Sequence, residues 1–131
     1  MGLKVVKFGG SSVADGIQLQ KMKRIIDADP DRRYVVAYAI YPTSHVCLRY
    51  MAPYHTFEID NKVTDLLYLC KTHMEQNLPY DQVFQVIKDR FNAVKLNLSI
   101  DADMEIHFEE ILTNMKKGCS KDYIASRGEY L

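Results

Sequence analysis

The feature that most restricts the fold lies at the start of the chain, where an apolar run meets two glycines and two serines: KVVKFGGSSV, Lys4 to Val13. Leu3 to Phe8 is almost continuously apolar, the pattern of a short strand covered on both faces in a parallel sheet. Gly9 and Gly10 end it. Asp15 followed by Gln18 has the spacing of a capping box and opens a helix through about Asp27, with Ile17, Met22, Ile25 and Ile26 as its buried stripe. After the turn at Pro30, Arg33 to Ala39 reads as a second strand. Strand, glycine turn, helix and strand make a βαβ unit, so the chain is expected to be α/β with a mainly parallel sheet.

From Asn61 onward the periodicity is helical. Val63, Leu66, Leu67, Cys70 and Met74 fall on one helix face, with Asn61 as its N-cap. Pro79 breaks the run. A second helix starts at Asp81 and buries Val83, Phe84, Ile87, Phe91 and Val94. A third runs from about Asp103 to Lys117, with Ile106, Ile111, Leu112 and Met115 inward and Gly118 as its stop. Ser120 caps a last helix, SKDYIASRGEYL, still running at Leu131. A domain seldom ends inside a helix that has just begun, so a fragment is expected. Tyr38 to Asp60, rich in Tyr, Pro and His and without a clear period, fits neither half and is read as loop or edge-strand material.

With 131 residues the chain fits one domain with one core. Its 17 basic and 17 acidic side chains cancel, which argues against a nucleic-acid partner but not against a small anion held by one or two lysines. No apolar run approaches the roughly 18 residues of a membrane span, and the N-terminus has no secretory signal. Gly2 suggests myristoylation, but Val6 stands where that motif needs Ser or Thr. Cys47, Cys70 and Cys119 are odd in number and widely spaced, which fits reduced thiols in a cytoplasmic protein.

The glycine turn has a direct chemical use. Gly9 and Gly10 let the backbone approach a ligand, their amides can face phosphate oxygens, and the helix that follows adds positive potential. Lys7 can set its ammonium against a transferring phosphoryl group, and Ser11 and Ser12 add hydroxyls. Taken alone, a glycine pair after a strand is more often a plain turn. The pattern is neither a P-loop nor a Rossmann fingerprint.

Together, VVKFGGSSV, the RRYVV strand, KVTDLLYLC (Lys62 to Cys70) and SKDYIASRGEYL (Ser120 to Leu131) resemble aspartate kinases, members of the amino-acid kinase family. KFGGSS with SRGE about 115 residues later is more specific than either motif alone. The resemblance implies a three-layer α/β/α fold, of which residues 1–131 would be the N-terminal portion, helix-rich in its second half. It implies phosphoryl transfer from ATP, with Mg2+, to the side-chain carboxylate of L-aspartate, giving 4-phospho-L-aspartate on the route to lysine, threonine and methionine. Lys7 would contact the transferring phosphoryl group; Gly9, Gly10 and Ser11 would cradle phosphates. Glu129 would hold the substrate ammonium, Gly128 would allow close approach beside it, and Arg127 would be a neighbour rather than a ligand. Such chemistry needs positioning and charge neutralisation, not an acid–base pair.

Two departures from the family stand out. Tyr38 occupies the place of an expected substrate-holding serine, with Thr43 or Ser44 as substitutes, and residues 38–60 form an atypical inserted or divergent loop. The 131 residues are also several times fewer than those of complete aspartate kinases, and the resemblance implies that the nucleotide-binding half and the ACT regulatory domains are not among them. The chain is therefore expected to have little or no kinase activity alone, and its truncated sheet to favour self-association. The competing functions are a non-catalytic α/β anion-binding or interaction module and a related kinase with another acceptor. His45, Cys47 and His55 lack the tight spacing of a zinc site, so no metal centre is expected. Cys70 reads as a core thiol, His73 and His107 as surface or packing residues, and the nine tyrosines as core and edge packing.

Overall fold

The apolar run before the glycines forms strand β1 (Lys4–Phe8), and after a 3-10 turn (Gly10–Val13) helix α1 follows over Gly16–Asp27. These elements belong to a computed structural model that describes residues 2–37, 46–49, 56–59 and 62–131. Helix α1 begins where the capping box places it. Asp15 is extended, and its carboxylate accepts the Gln18 N–H at 2.9 Å, satisfying one of the amides a helix start leaves open. The chain then returns as β2 (Arg32–Ala37), parallel to β1, with Val6 opposite Val35 and Phe8 opposite Ala37. Lys4 fastens the connection: its ammonium bonds Asp29 at 2.6 Å and its N–H reaches the Asp31 carbonyl at 2.7 Å. The bond from Lys4, aided by the Asp31 N–H, holds the Asp29 carboxyl below its usual range.

The second half packs four helices: α2 (Val63–Glu75), α3 (Asp81–Leu98), α4 (Glu105–Lys116) and α5 (Lys121–Tyr130). Their core joins Val63, Leu66, Leu67 and Cys70 to Val83, Phe84, Ile87 and Phe91, closed by Phe108, Ile111, Met115 and Ile124. Met74 and Leu112 are half-buried at its margin, and Val94, expected inward on α3, is half-buried away from it. Phe108 meets Phe84 edge-on, ring centres 5.9 Å apart. Ile106, expected inward, is 62 % exposed. The buried stripe of α4 is Phe108, Ile111 and Met115, and two residues before Phe108 the helix surface points nearly the opposite way. Gly118, at φ +84°, stops α4; Ser120 Oγ caps α5 by accepting the Tyr123 N–H at 3.1 Å. Asn61 lies outside the described residues, and Lys62, at the N-cap position of α2, supplies no side-chain cap. Cys70 is fully buried, which with the nearby Asp81 charge pushes its thiol up to about 12.

The β1–α1–β2 half is less covered than its sequence pattern suggests. Val5 is 70 % exposed, and Ile17 and Ile25 of the expected α1 stripe are 61 % and 47 % exposed; Met22 and Ile26 are half-buried. Among the described residues the parallel sheet has two strands, too narrow a surface to cover that stripe. The close neighbour of α1 is instead the end of α3. A Cβ at Gly16 would collide with the Asn97 side chain, and Gln20 Nε2 donates to the Asn97 carbonyl at 3.1 Å. Between the halves, β3 (Val46–Arg49) and β4 (Thr56–Ile59) pair antiparallel in a separate sheet. Tyr38, Thr43, Ser44, and the trio His45, Cys47 and His55 fall outside what the structure describes at side-chain level. Among the described residues the whole is a helix-rich α/β arrangement with a small parallel sheet.

Candidate active site

The glycine turn is built as its residues suggest. Gly9 is extended (φ −155°), open to any residue, whereas Gly10 at φ +56° is left-handed and favours glycine. The Ser12 N–H closes onto the Gly9 carbonyl at 3.2 Å and the Ala14 N–H onto the Ser11 carbonyl at 3.4 Å. Buried Val13 and Ala14 anchor the turn, leaving Gly10, Ser11 and Ser12 exposed. Lys7 is exposed on β1 between half-buried Val6 and Phe8, as strand alternation requires. A Cβ at Gly10 would meet nothing within 4 Å, so the space beside the turn is open. An exposed ammonium, two hydroxyls and an open left-handed glycine are a donor set that fits a phosphate chain.

A cleft of about 340 Å³ lies next to this turn. It is bounded by Val13 from the turn, Ala37 at the carboxyl end of β2, Phe91 and Lys95 on α3, and residues 128–131 at the end of α5. Clefts beyond the carboxyl ends of parallel strands are the usual ligand sites of α/β sheets. Gly128 and Glu129 therefore share a cavity with the residue that closes the glycine motif. Lys7, Gly9, Gly10 and Ser11 are not among its lining residues.

Helix α5 reaches the cleft through close packing. A Cβ at Gly128 would fall on the Thr64 hydroxyl and lie 3.0 Å from the Thr64 Cα, so this glycine lets α5 lie against the start of α2. Glu129, one residue on, is exposed, and no described residue bonds its carboxylate. Arg127 turns elsewhere, with its guanidinium 4.4 Å from the Tyr130 ring centre and 4.9 Å from that of Tyr123. The Tyr130 hydroxyl meets His107 Nδ1 at 3.1 Å, and Asn114 Nδ2 donates to the Tyr123 hydroxyl at 2.7 Å. Both contacts tie α5 to α4. His73 is buried beside the Pro79 carbonyl, 2.7 Å from Nδ1, at the turn between α2 and α3. Lys95 and Tyr130 are cleft residues that sequence reading passes over; a lysine late in a helix carries no mark separating it from a solvated one.

A second cavity, about 420 Å³, lies by the C-terminal ends of α2 and α4 and contains none of the motif residues. Among the described residues, no three His, Cys, Asp or Glu side chains gather to hold a metal ion, and no helix is long and apolar enough to cross a membrane.

No protein-family model matches the chain. Aspartokinase 3 of Bacillus subtilis (strain 168) is 34 % identical over 98 residues, which cover 75 % of this chain and 19 % of that protein. The solved aspartate kinase of Clostridium acetobutylicum matches 99 % of this chain with a TM-score of 0.80 at 38 % identity, over 27 % of its own chain. The chain thus spans less than a third of either relative's length.

Proposed function

In sequence and in fold the chain belongs with the aspartate kinases, spanning a part of their length, and on that footing we propose that it carries the phosphate-facing and aspartate-facing portions of such an active site. The reaction is transfer of the terminal phosphoryl group of ATP to the side-chain carboxylate of L-aspartate, in a cytoplasmic enzyme of amino-acid biosynthesis. The observation that supports this reading is the shared cleft: Val13, ending KFGGSSV, and Gly128–Glu129, ending SRGE, line one cavity although more than a hundred residues separate them.

Each residue has a task suited to its chemistry. Lys7 offsets charge on the transferring phosphoryl group, and Gly9, Gly10 and Ser11 receive phosphate oxygens on backbone amides and a hydroxyl. Bound ATP supplies the phosphoryl group, and Mg2+ would enter on its phosphate oxygens rather than in a cage of protein ligands. Glu129 holds the substrate ammonium, and Gly128 sets the height of α5 at which that carboxylate meets the cleft. The nucleoside contacts are assigned to other parts of a full-length enzyme, so turnover by the 131 residues alone is expected to be close to background.

Two measurements test the reading. Calorimetry should show L-aspartate binding that Glu129→Gln weakens about tenfold, the loss of one charge-assisted bond of about 1.4 kcal/mol. Undiminished binding in that variant, or preference for L-glutamate, overturns the assignment. ADP release from the chain alone at the rate of a complete aspartate kinase overturns the division of the site.

A further inference from the structure

Helix α5 is tied to α4 by two side-chain rungs. The Asn114 amide donates to the Tyr123 hydroxyl at 2.7 Å, and the Tyr130 hydroxyl meets His107 Nδ1 at 3.1 Å. The rungs stand seven residues apart on both helices, close to two turns, and come in reverse order, as antiparallel neighbours require. Arg127 joins them, its guanidinium lying over the Tyr123 ring one turn before it and over the Tyr130 ring one turn after it. The rungs differ in what they hold. Tyr123 is in the first turn of α5, beside the Ser120 cap. Tyr130 is in the last turn, adjoins Glu129 and lines the same cleft.

That last turn has reason to need a side-chain tie. Gly128 is required there by the close approach to Thr64, and a glycine inside a helix loosens it. A ten-residue helix is marginal on its backbone bonds alone. No described residue bonds the Glu129 carboxylate, so its direction follows the backbone of this turn. The tie nearest to it is the Tyr130–His107 rung, where an edge-on ring contact, centres 5.4 Å apart, accompanies the hydroxyl bond. His107 is firmly seated, because its neighbour Phe108 is fully buried in the core.

We propose that His107 is a positioning residue: through Tyr130 it carries the rigidity of the core to the last turn of α5 and fixes the direction of the Glu129 carboxylate. The proposal rests on the aspartate-site reading above and gives His107 no contact with substrate. A tyrosine hydroxyl can donate to Nδ1 or accept from it, so the rung is made by either neutral tautomer. A glutamine amide offers the same two roles.

The test is calorimetric titration of the 131-residue chain and its variants with L-aspartate, alongside amide hydrogen exchange. His107→Ala and Tyr130→Phe should each bind about fivefold more weakly, the effect of one hydrogen bond, and the double variant no more weakly than either. His107→Gln should recover most of the affinity. Asn114→Ala removes the matching bond from the other rung. It should speed exchange at the start of α5 and keep the parent affinity, while His107→Ala speeds exchange at residues 128–130. Parent affinity in His107→Ala, with Glu129→Gln still weakened, overturns the His107 assignment and leaves the aspartate site standing. Equal weakening in Asn114→Ala and His107→Ala also overturns it, because the rungs would then act through stability alone. If the parent chain binds no L-aspartate, or Glu129→Gln changes nothing, the aspartate site fails and the His107 proposal fails with it. Unchanged exchange in α3 of His107→Ala and His107→Gln excludes unfolding as the cause.

Discussion

A side chain at residue 128 would meet Thr64 at both its hydroxyl and its backbone, so the glycine of SRGE is required by packing whatever its part in binding. This gives a test by sign. In a helix interior, Gly→Ala ordinarily stabilises by roughly 0.5–1 kcal/mol. At this site Gly128→Ala should instead destabilise by about 1–3 kcal/mol in urea melts, the cost of overpacking. Thr64→Gly in the same chain should restore the ordinary sign, and a stabilised Gly128→Ala variant would refute the close approach. At this scale the sequence was informative where residues form a motif: Gly10 is left-handed as a glycine turn demands, and Glu129 lies on the cleft. It was silent about Lys95 because nothing in KLNL separates a cleft lysine from a solvated one. Nor could it connect Gly128 to Thr64, because that approach exists only after two helices have packed.

Among the helices, start signals were more legible than buried faces. Asp15 and Ser120 both cap as their spacing indicates, since a cap is a bond between residues three apart and needs no tertiary partner. The α1 stripe depends on what lies opposite, and Ile17 and Ile25 remain exposed although their spacing suits burial. Helix α5 contributes one fully buried apolar side chain, Ile124, to the core, with Tyr123 half-buried beside it, so its cap matters more than usual. Ser120→Ala should destabilise it by about 1 kcal/mol. Hydrogen exchange at the amides of residues 123–129 should accelerate correspondingly, while exchange in α3 stays unchanged. Equal protection in α5 would show that packing on α2, not the cap, holds the candidate substrate helix.

For the molecule as a whole, the helical half has a closed core, whereas among the described residues the sheet half leaves apolar side chains exposed. Tyr34, Val35 and Val36 are successive residues of β2 and all exposed, so both faces of that strand present apolar side chains. Such surface should make the chain bind a hydrophobic dye and sediment with a concentration-dependent mass. Val5→Thr with Val36→Thr should reduce both. A monomeric, dye-silent parent chain would contradict this. The parallel βαβ unit was legible from a local pattern of strand, glycine and cap, whereas the exposure of its faces was not, because an apolar run shows that a strand suits burial and not which element lies over it.

The buried thiol of Cys70 gives the helical core its own chemical clock. Its value of about 12 against an ordinary 9.0 means that the folded chain keeps the proton the unfolded chain releases. The sign follows by linkage: this contribution to stability is complete below pH 9.0 and fades as pH rises towards about 12. Thiol reagents consume thiolate, so Cys70 stays silent while α2 is seated and becomes nucleophilic when the core opens. The rate at which such a reagent takes Cys70, read against half-buried Cys119, therefore counts openings of the core rather than encounters with its surface.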